Sequence, residues 1–232
     1  MTPLRVFIGY DAREAVAYHV LCHSILTRAS VPVAITPLVR GALRGVHHRE
    51  RGPLESTDFS LTRFLVPYLS AYAGWALYLD CDMLCQVDIA GIFGRPIPDQ
   101  WWSVWVVQHD YTPKTTTKFL GQAQTSYPRK NWSSVMLFDT ARCMALTPEY
   151  VDTASGLELH RLGWADRGIG ALPLEWNYLV DEENQSAAPP KIIHYTNGGP
   201  WFKDYWRCEF SEEWFQEYRS MTAIGLVMKT GG

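Results

Sequence analysis

The chain has 232 residues, of which 47% are hydrophobic and 19% are charged, and its formal net charge is −3. This balance is typical of a globular protein and lacks the excess positive charge that nucleic-acid-binding proteins carry. We therefore expect a single domain over residues 1–232 that binds no nucleic acid.

The cysteines and the first residues indicate where the protein works. Five scattered cysteines are an odd number, which argues against a disulfide framework and favours a reducing compartment. Gly9 and Asp11 interrupt the opening residues too early for a signal peptide or a membrane span. We expect a cytoplasmic protein without a transmembrane segment, and peripheral contact with a membrane stays open.

The first part of the chain predicts a βαβ unit. Residues 4–8 form an apolar, β-prone run, and apolar residues at helical spacing predict a helix over 12–28. A second strand is predicted over 33–39. The intervening loop at 9–13 then lies at the carboxyl end of the first strand, where open α/β sheets bind ligands.

The next segment predicts a loop, a helix and a buried strand. Residues 41–53 lack periodicity and are expected to form a loop. A helix is predicted from residues 56–58 to Tyr72, with a kink at Pro67. The apolar run at 75–79 predicts a strand.

Short helices and strands alternate in the rest of the chain. They are a helix over 87–93, strands over 102–108 and 132–138, one or two helices over 147–162, strands over 172–178 and 191–195, and a helix over 211–222. Residues 109–130 are polar and interrupted by Pro and Gly, so they predict a long loop, and such loops are usually functional.

Two acidic residues directly follow the run at 75–79. Asp80 and Asp82 are two positions apart, so in an extended chain their carboxylates point to the same side. Such a pair can bind one divalent cation, and a cation with open coordination positions suits a diphosphate. The alternative is a solvated turn that carries two acids, because the Asp-X-Asp motif is short.

Several segments occur in an order that resembles a known enzyme family. They are Arg63, 78–84 (YLDCDML), 133–138 (SSVMLF), 172–177 (LPLEWN) and 194–201 (HYTNGGPW). Together they resemble the nucleotide-sugar glycosyltransferases of family 8, a retaining group that includes glycogenin-like and bacterial lipopolysaccharide galactosyltransferases. The resemblance runs from Val6 to Trp201. It implies an α/β protein with the GT-A glycosyltransferase fold, a Rossmann-like mixed central sheet flanked by helices.

The resemblance also implies roles for individual residues. The ligands that it implies for Mn²⁺ (or Mg²⁺), held against the diphosphate of a UDP-sugar donor, are Asp80, Asp82 and His194. Gly9, Tyr10 and Asp11 would line the nucleoside pocket, with the Tyr10 ring against uracil. Arg63 would approach the nucleotide or the sugar.

The chain departs from the family pattern at three places. The family usually carries a phosphate-binding lysine before the Pro-Trp pair, where this chain has Gly199. The backbone amides of Gly198 and Gly199, or the side chain of Lys203, are the alternatives for that contact. The Asn of the usual Asn-Ser-Gly segment stands one place early, at Asn131. The family's acidic motif is reduced to Asp166, our candidate for holding the transferred sugar.

The resemblance and the aspartate pair together predict a metal-dependent retaining glycosyltransferase that moves a hexose from a UDP-sugar to a hydroxyl of a saccharide or other glycoconjugate precursor. Asp166 and Arg63 are the candidate catalytic residues. A nucleotidyltransferase acting on a sugar phosphate is one alternative, although residues 9–13 are not the Gly-rich, basic loop that such enzymes use. A non-catalytic nucleotide- or sugar-binding module is another, and it would not need a metal.

Overall fold

A six-stranded mixed sheet lies at the centre of the structure. The computed structural model describes residues 2–52, 55–94, 102–110, 117–118, 121–123, 128–182 and 188–223. The strands of the described residues are β1 (Leu4–Tyr10), β2 (Val33–Val39), β3 (Trp75–Leu79), β4 (Met83–Cys85), β5 (Val104–Val107), β6 (Thr117–Lys118), β7 (Gln122–Ala123), β8 (Val135–Asp139), β9 (Ile169–Leu172), β10 (Tyr178–Leu179) and β11 (Ile192–His194). The helices are α1 (Ala15–Arg28), α2 (Val66–Leu69), α3 (Ala90–Phe93), α4 (Pro148–Thr153), α5 (Gly156–His160) and α6 (Ser211–Thr222). Short 3-10 turns cover Ala12–Glu14, Arg40–Leu43, Thr62–Leu65, Thr140–Arg142, Leu174–Asn177 and Lys203–Tyr205.

The strand order of the central sheet is β2-β1-β3-β8-β5-β9. Strands β2 and β3 are parallel to β1, β8 runs antiparallel to β3 and β5, and β5 is parallel to β9. All strands of this sheet except β8 therefore run in one direction. Ligands of open α/β sheets bind outside the carboxyl ends of such strands, and we call that side the carboxyl edge.

A smaller sheet, ordered β10-β11-β4, joins two distant parts of the chain. Strand β11 is antiparallel to β4 and parallel to β10. In this register His194 is paired with Met83, which directly follows Asp82. The smaller sheet therefore carries His194 to the residues that follow β3.

The predicted βαβ unit is present because its apolar faces meet the core. Strands β1 and β2 pair along their whole lengths. Helix α1 buries Leu21 and Ile25 in the main core, while Val20 joins a second, smaller apolar cluster with Trp214 of α6. Ser24 Oγ accepts a hydrogen bond from the Cys85 amide over 3.1 Å, which joins α1 to β4. Helix α6 has the bounds predicted from the sequence.

The helix predicted from residues 56–58 to Tyr72 is mostly absent. The 3-10 turn at Thr62–Leu65 leads into α2, which is only four residues long. Pro67 stands in the first turn of α2, where its missing N–H leaves no intrahelical bond unmade, so it helps to begin the helix and does not kink it. Ala71 and Tyr72 then adopt positive φ angles of 52° and 50°, which are incompatible with a continuing helix.

The strand predicted over 172–178 has different bounds. Strand β9 ends at Leu172, because Pro173 cannot donate a hydrogen bond to a sheet ladder. Residues 174–177 form a 3-10 turn, and only then does β10 begin. This turn brings Asn177 into hydrogen-bonding contact with His194.

Much of the loop predicted over 109–130 lies outside the described residues. Its described part includes β6 and β7, which form an antiparallel pair.

Within the part of the chain that the structure describes, no helix has both the length and the apolar character needed to cross a bilayer.

Candidate functional site

Three potential metal ligands meet at the carboxyl edge. Asp80 and Asp82 follow β3, and His194 ends β11. One ligand atom of each residue lies within 4.8 Å of the others. All three residues are almost completely buried, with exposed fractions of 8%, 8% and 2%. The structure thus brings together the three residues that the resemblance implies as ligands.

Asp80 is held by two buried partners. The Tyr78 hydroxyl donates to Asp80 Oδ1 over 2.6 Å, and Arg63 Nη1 lies 2.9 Å from the same oxygen. Arg63 Nη1 also donates to the Ser133 carbonyl over 2.9 Å, and its guanidinium lies over the rings of Phe59 and Tyr78. Arg63, expected to approach the nucleotide or the sugar, is therefore engaged with a candidate metal ligand.

The electrostatics of the aspartate pair favour a cation. Burial raises the pKa of Asp80, Arg63 opposes this shift, and the charge of Asp82 adds to it. Two buried carboxylates at this separation repel each other when both are ionised. A divalent cation relieves that repulsion, and two carboxylates with one imidazole form a donor set that Mn²⁺ accepts. The residues present therefore fit the ion that the resemblance implies.

His194 is fixed by Asn177, a residue for which the sequence predicts no role of its own. His194 Nδ1 lies 2.9 Å from Asn177 Oδ1, and His194 Nε2 lies 3.3 Å from Asp82 Oδ1. Asn177 is fully buried, and its Nδ2 donates to Ser134 Oγ over 2.9 Å. The sequence signal was a polar residue directly after Trp176 in a family segment, but spacing alone cannot identify its partners.

Two further histidines lie at the carboxyl edge and were not singled out in the sequence. His109 follows β5, and burial together with the nearby His194 lowers its pKa to about 4. It is therefore a neutral imidazole at physiological pH. His160 ends α5, and its Nδ1 lies 2.8 Å from the hydroxyl of Ser133. Neither histidine stands at a motif spacing, so the fold alone reveals their position.

Gly9 and Tyr10 lie at the end of β1, where a nucleoside pocket was expected. A Cβ atom at Gly9 would lie 2.4 Å from the Phe59 ring, so packing requires a glycine here. Tyr10 is half-buried and packs edge-on against Tyr18, with ring centroids 5.3 Å apart. Packing explains Gly9 without a ligand, whereas Tyr10 retains an accessible aromatic surface.

Asp11 has a structural role in the turn that precedes α1. Its carboxylate accepts hydrogen bonds from the amide and the Nε of Arg13, each over 2.9 Å, and from the Asp58 amide over 3.1 Å. Burial alone would raise the pKa of Asp11, but these hydrogen bonds leave it below its ordinary value. The carboxylate therefore stays ionised and joins two segments of the carboxyl edge.

The segment after His194 explains the missing lysine. A Cβ atom at Gly199 would lie 2.0 Å from the Trp201 ring, so no larger side chain fits there without rearrangement. Gly198 has a φ of 129°, and its amide donates to the Tyr195 carbonyl over 2.9 Å. Lys203 is exposed and begins a 3-10 turn.

Asp166 does not join the other predicted residues. It lies three residues before β9, which runs parallel to β5, so it stands at the edge opposite the carboxyl edge. The four-residue strand alone separates these edges by roughly 10 Å. Asp166 is exposed and lines a surface groove with Arg142 and Arg167. This placement corrects the expectation that Asp166 lies beside the transferred sugar, since its place in a motif did not reveal which end of the strand it occupies.

Comparison with solved structures identifies the fold. The galactosyltransferase LgtC, solved with donor and acceptor sugar analogues, matches with a TM-score of 0.61 and 13% identity over 95% of this chain and 97% of that chain. The bifunctional glycosyltransferase WbbM matches with a TM-score of 0.59 and 15% identity over 94% of this chain, which spans only 50% of the WbbM chain. The glycosyltransferase GlyE of Streptococcus pneumoniae TIGR4 matches with a TM-score of 0.58 and 13% identity, over 93% of this chain and 60% of that chain. The chain thus has the GT-A glycosyltransferase fold.

Sequence comparison identifies a family. No protein-family model matches the chain. The chain is 48% identical to Protein CDI of Arabidopsis thaliana over 224 residues, which cover 93% of this chain and 86% of that relative. Identity at this level over nearly the whole length means that the chain belongs to the same protein family as Protein CDI of Arabidopsis thaliana.

Proposed function

We propose that this protein is a metal-dependent retaining glycosyltransferase that moves a hexose from a UDP-sugar to a hydroxyl of a saccharide or other glycoconjugate precursor. The observation that carries the proposal is the buried cluster of Asp80, Asp82 and His194 at the carboxyl edge of a GT-A sheet. The solved structures with this fold are named as glycosyltransferases, which supports the same class of reaction here.

The cluster is proposed to hold Mn²⁺ (or Mg²⁺). When bound, such a cation would stabilise the negative charge that develops on the leaving diphosphate. Arg63 and Tyr78 hold the Asp80 carboxylate, so the chain presents a fixed ligand. Arg63 is thus proposed as a residue that orients a metal ligand.

The uracil ring is proposed to pack against Tyr10. This side chain is half-buried at the end of β1, and flat aromatic surfaces suit a nucleobase. Asp11 shapes the same turn, because its carboxylate is already hydrogen-bonded to Arg13 and to the Asp58 amide. Recognition of the base edge is therefore assigned to the backbone of this turn.

The diphosphate has two candidate partners in this proposal. One is the backbone amide of Gly199, and the other is the ammonium group of Lys203. The amide of Gly198 is the weaker candidate, because it already donates to the Tyr195 carbonyl. Retention of configuration is proposed to follow from reaction on one face of the sugar. The leaving phosphate oxygen takes the proton of the acceptor, and positioning supplies much of the rate.

The test is a screen of donors without an acceptor. The protein is incubated with Mn²⁺ and one of several UDP-hexoses, and release of UDP and free hexose is followed, because slow donor hydrolysis needs no acceptor. We expect release from at least one donor and none with excess chelator. Asp82→Asn should lower the rate of release by ~10²-fold or more. Asp139→Asn, which removes a carboxylate at the opposite edge of the same sheet, should not.

Other results would identify other functions. Release of pyrophosphate from a nucleoside triphosphate and a sugar phosphate would identify a nucleotidyltransferase. Metal-independent binding of UDP without turnover of any donor would identify a binding module. Turnover of UDP-hexoses that excess chelator does not reduce would contradict the proposed role of the cluster.

A further inference from the structure

Asn177 connects the candidate metal cluster to the segment that precedes β8. Its Oδ1 faces His194 Nδ1 at 2.9 Å, while its Nδ2 faces Ser134 Oγ at 2.9 Å and the Asn131 carbonyl at 3.3 Å. Asn177 is fully buried, and Ser134 is 2% exposed. In such surroundings each polar atom needs a partner of the correct polarity.

The polarity of these hydrogen bonds is set by the Asn131 carbonyl. A carbonyl oxygen only accepts, so the Asn177 atom that faces it must be the amide nitrogen. The Ser134 hydroxyl also donates to this carbonyl, over 2.7 Å, so its proton is committed there. Ser134 Oγ therefore accepts from Asn177. Both contacts orient the Asn177 side chain in the same way.

This orientation determines which nitrogen of His194 carries the proton. Asn177 Oδ1 is an acceptor, so Nδ1 of a neutral His194 must be the protonated nitrogen. Its Nε2 then presents a lone pair towards Asp82 Oδ1, 3.3 Å away. With Nδ1 protonated, His194 Nε2 and Asp82 Oδ1 both act as acceptors, and no proton lies between them to form a hydrogen bond. A cation bound by both atoms would remove this unfavourable contact.

We propose that Asn177 is a positioning residue that holds His194 in its Nδ1–H tautomer and so presents Nε2 as a metal ligand beside Asp80 and Asp82. The inference rests on the proposed function only in naming a divalent cation as the ligand. Outer-shell hydrogen bonds of this kind fix both the tautomer and the ring orientation of metal-binding histidines. The segment 131–134 thereby acts on the site through Asn177, although it supplies no candidate ligand to the metal cluster.

The first measurement uses the unaltered, metal-free protein. Long-range ¹H–¹⁵N spectra of the imidazole groups, recorded at a pH at which the spectra themselves show no imidazolium, distinguish the two tautomers. We expect His194 in the Nδ1–H form. A predominant Nε2–H form would overturn the inference. The measurement needs no nucleotide sugar, so its outcome is independent of whether any UDP-hexose is turned over.

The second measurement is the affinity for Mn²⁺ alone, by calorimetry. Asn177→Leu keeps the side-chain size and removes both polar atoms. We expect it to weaken Mn²⁺ binding about 10–100-fold, the usual effect of losing an outer-shell partner, and to populate the Nε2–H tautomer. Asn197→Leu is the matched control, because Asn197 lies three residues after His194 but donates to Glu182. Equal affinities of the two variants for Mn²⁺ would overturn the inference, even if donor turnover is observed.

Discussion

Arg63 and Asp80 form a buried ion pair in which one nitrogen, Arg63 Nη1, also donates to the Ser133 carbonyl. The pair therefore joins the 3-10 turn before α2, the end of β3 and the segment before β8. Because all three segments meet at the carboxyl edge, its loss affects both stability and the candidate site.

Arg63→Leu should destabilise the fold by about 3–5 kcal/mol, because it leaves a buried carboxylate without its cationic partner. Arg63→Lys should cost less, since it keeps the charge but not the forked geometry. Urea denaturation measures both. Arg219→Leu, which breaks an exposed pair with Glu212, is the control and should change the free energy of unfolding by less than about 1 kcal/mol. Equal effects of Arg63→Leu and Arg219→Leu would show that the buried pair has no special role.

Asp82→Asn should lower donor turnover by ~10²-fold or more, the scale of losing one preorganised electrostatic stabiliser. The metal-free variant should be at least as stable as the parent protein, because the substitution removes repulsion from Asp80. Turnover and thermal unfolding of the same samples test both expectations. Near-normal turnover in the folded variant would show that Asp82 does not take part in the reaction.

Gly199→Lys restores the lysine of the family pattern, and we expect it to harm the protein. Its Cβ would lie 2.0 Å from the Trp201 ring, and overpacking of this kind typically costs about 1–3 kcal/mol. Gly41→Lys is the control, because a Cβ there has no neighbour within 4 Å. The two free energies of unfolding are compared by denaturation. A Gly199→Lys protein of parental stability and higher turnover would show that the segment adapts to the lysine.

Glu217 should make stability depend on pH in the acid range. Burial opposes ionisation of Glu217, but hydrogen bonds with Arg28 and His23 lower its pKa below the ordinary value of 4.5. A lowered folded-state pKa means that its contribution is complete above about pH 4.5 and is lost as the pH falls through the folded-state value.

Glu217→Gln should therefore cost about 1–3 kcal/mol near neutral pH, and the difference from the parent protein should shrink on acidification. The measurement is a series of denaturation curves at decreasing pH. Glu212 lies on the same helix but is exposed, so Glu212→Gln should change the free energy of unfolding little at any pH. A Glu217→Gln difference that does not change with pH would contradict this assignment.

Asp166→Asn should leave donor turnover unchanged, because Asp166 stands at the edge opposite the metal cluster. The measurement is the same donor hydrolysis assay, with Asp82→Asn as the inactive reference. A loss of turnover in a folded Asp166→Asn protein would mean that this edge takes part in the reaction.

The parts of the fold that were predictable are those in which local pattern and tertiary contact agree. Helix α1 and strand β2 show their periodicity in the sequence, and both are present. Asp80 and Asp82 were paired from their spacing after an apolar run, whereas His194 was implied as their partner only by the family resemblance. The end of β9 before Pro173, by contrast, was not predicted, because hydrophobic residues stand on both sides of this proline. The missing N–H of Pro173 matters only when the residue would pair in a sheet.

The remaining features depend on contacts that spacing does not encode. Asp166 follows a helical segment and precedes a strand, and only strand direction tells which edge it occupies. Asn177 meets His194 because β10 and β11 are parallel neighbours. Arg63 was predicted to approach the nucleotide or the sugar, but its partner Asp80 depends on where the 3-10 turn before α2 is placed beside β3.

The pairing of β11 with β4 makes the candidate metal centre a junction between remote parts of the chain. Asp82 and His194 are separated by about 110 residues in sequence, so a cation that binds both would cross-link the two ends of a long segment. The complete ligand set exists only when β11 has docked, so binding of Mn²⁺ and docking of the smaller sheet are thermodynamically linked. Ion occupancy would then decide how often this sheet opens, and slower amide exchange in β10 and β11 on addition of Mn²⁺ would reveal it.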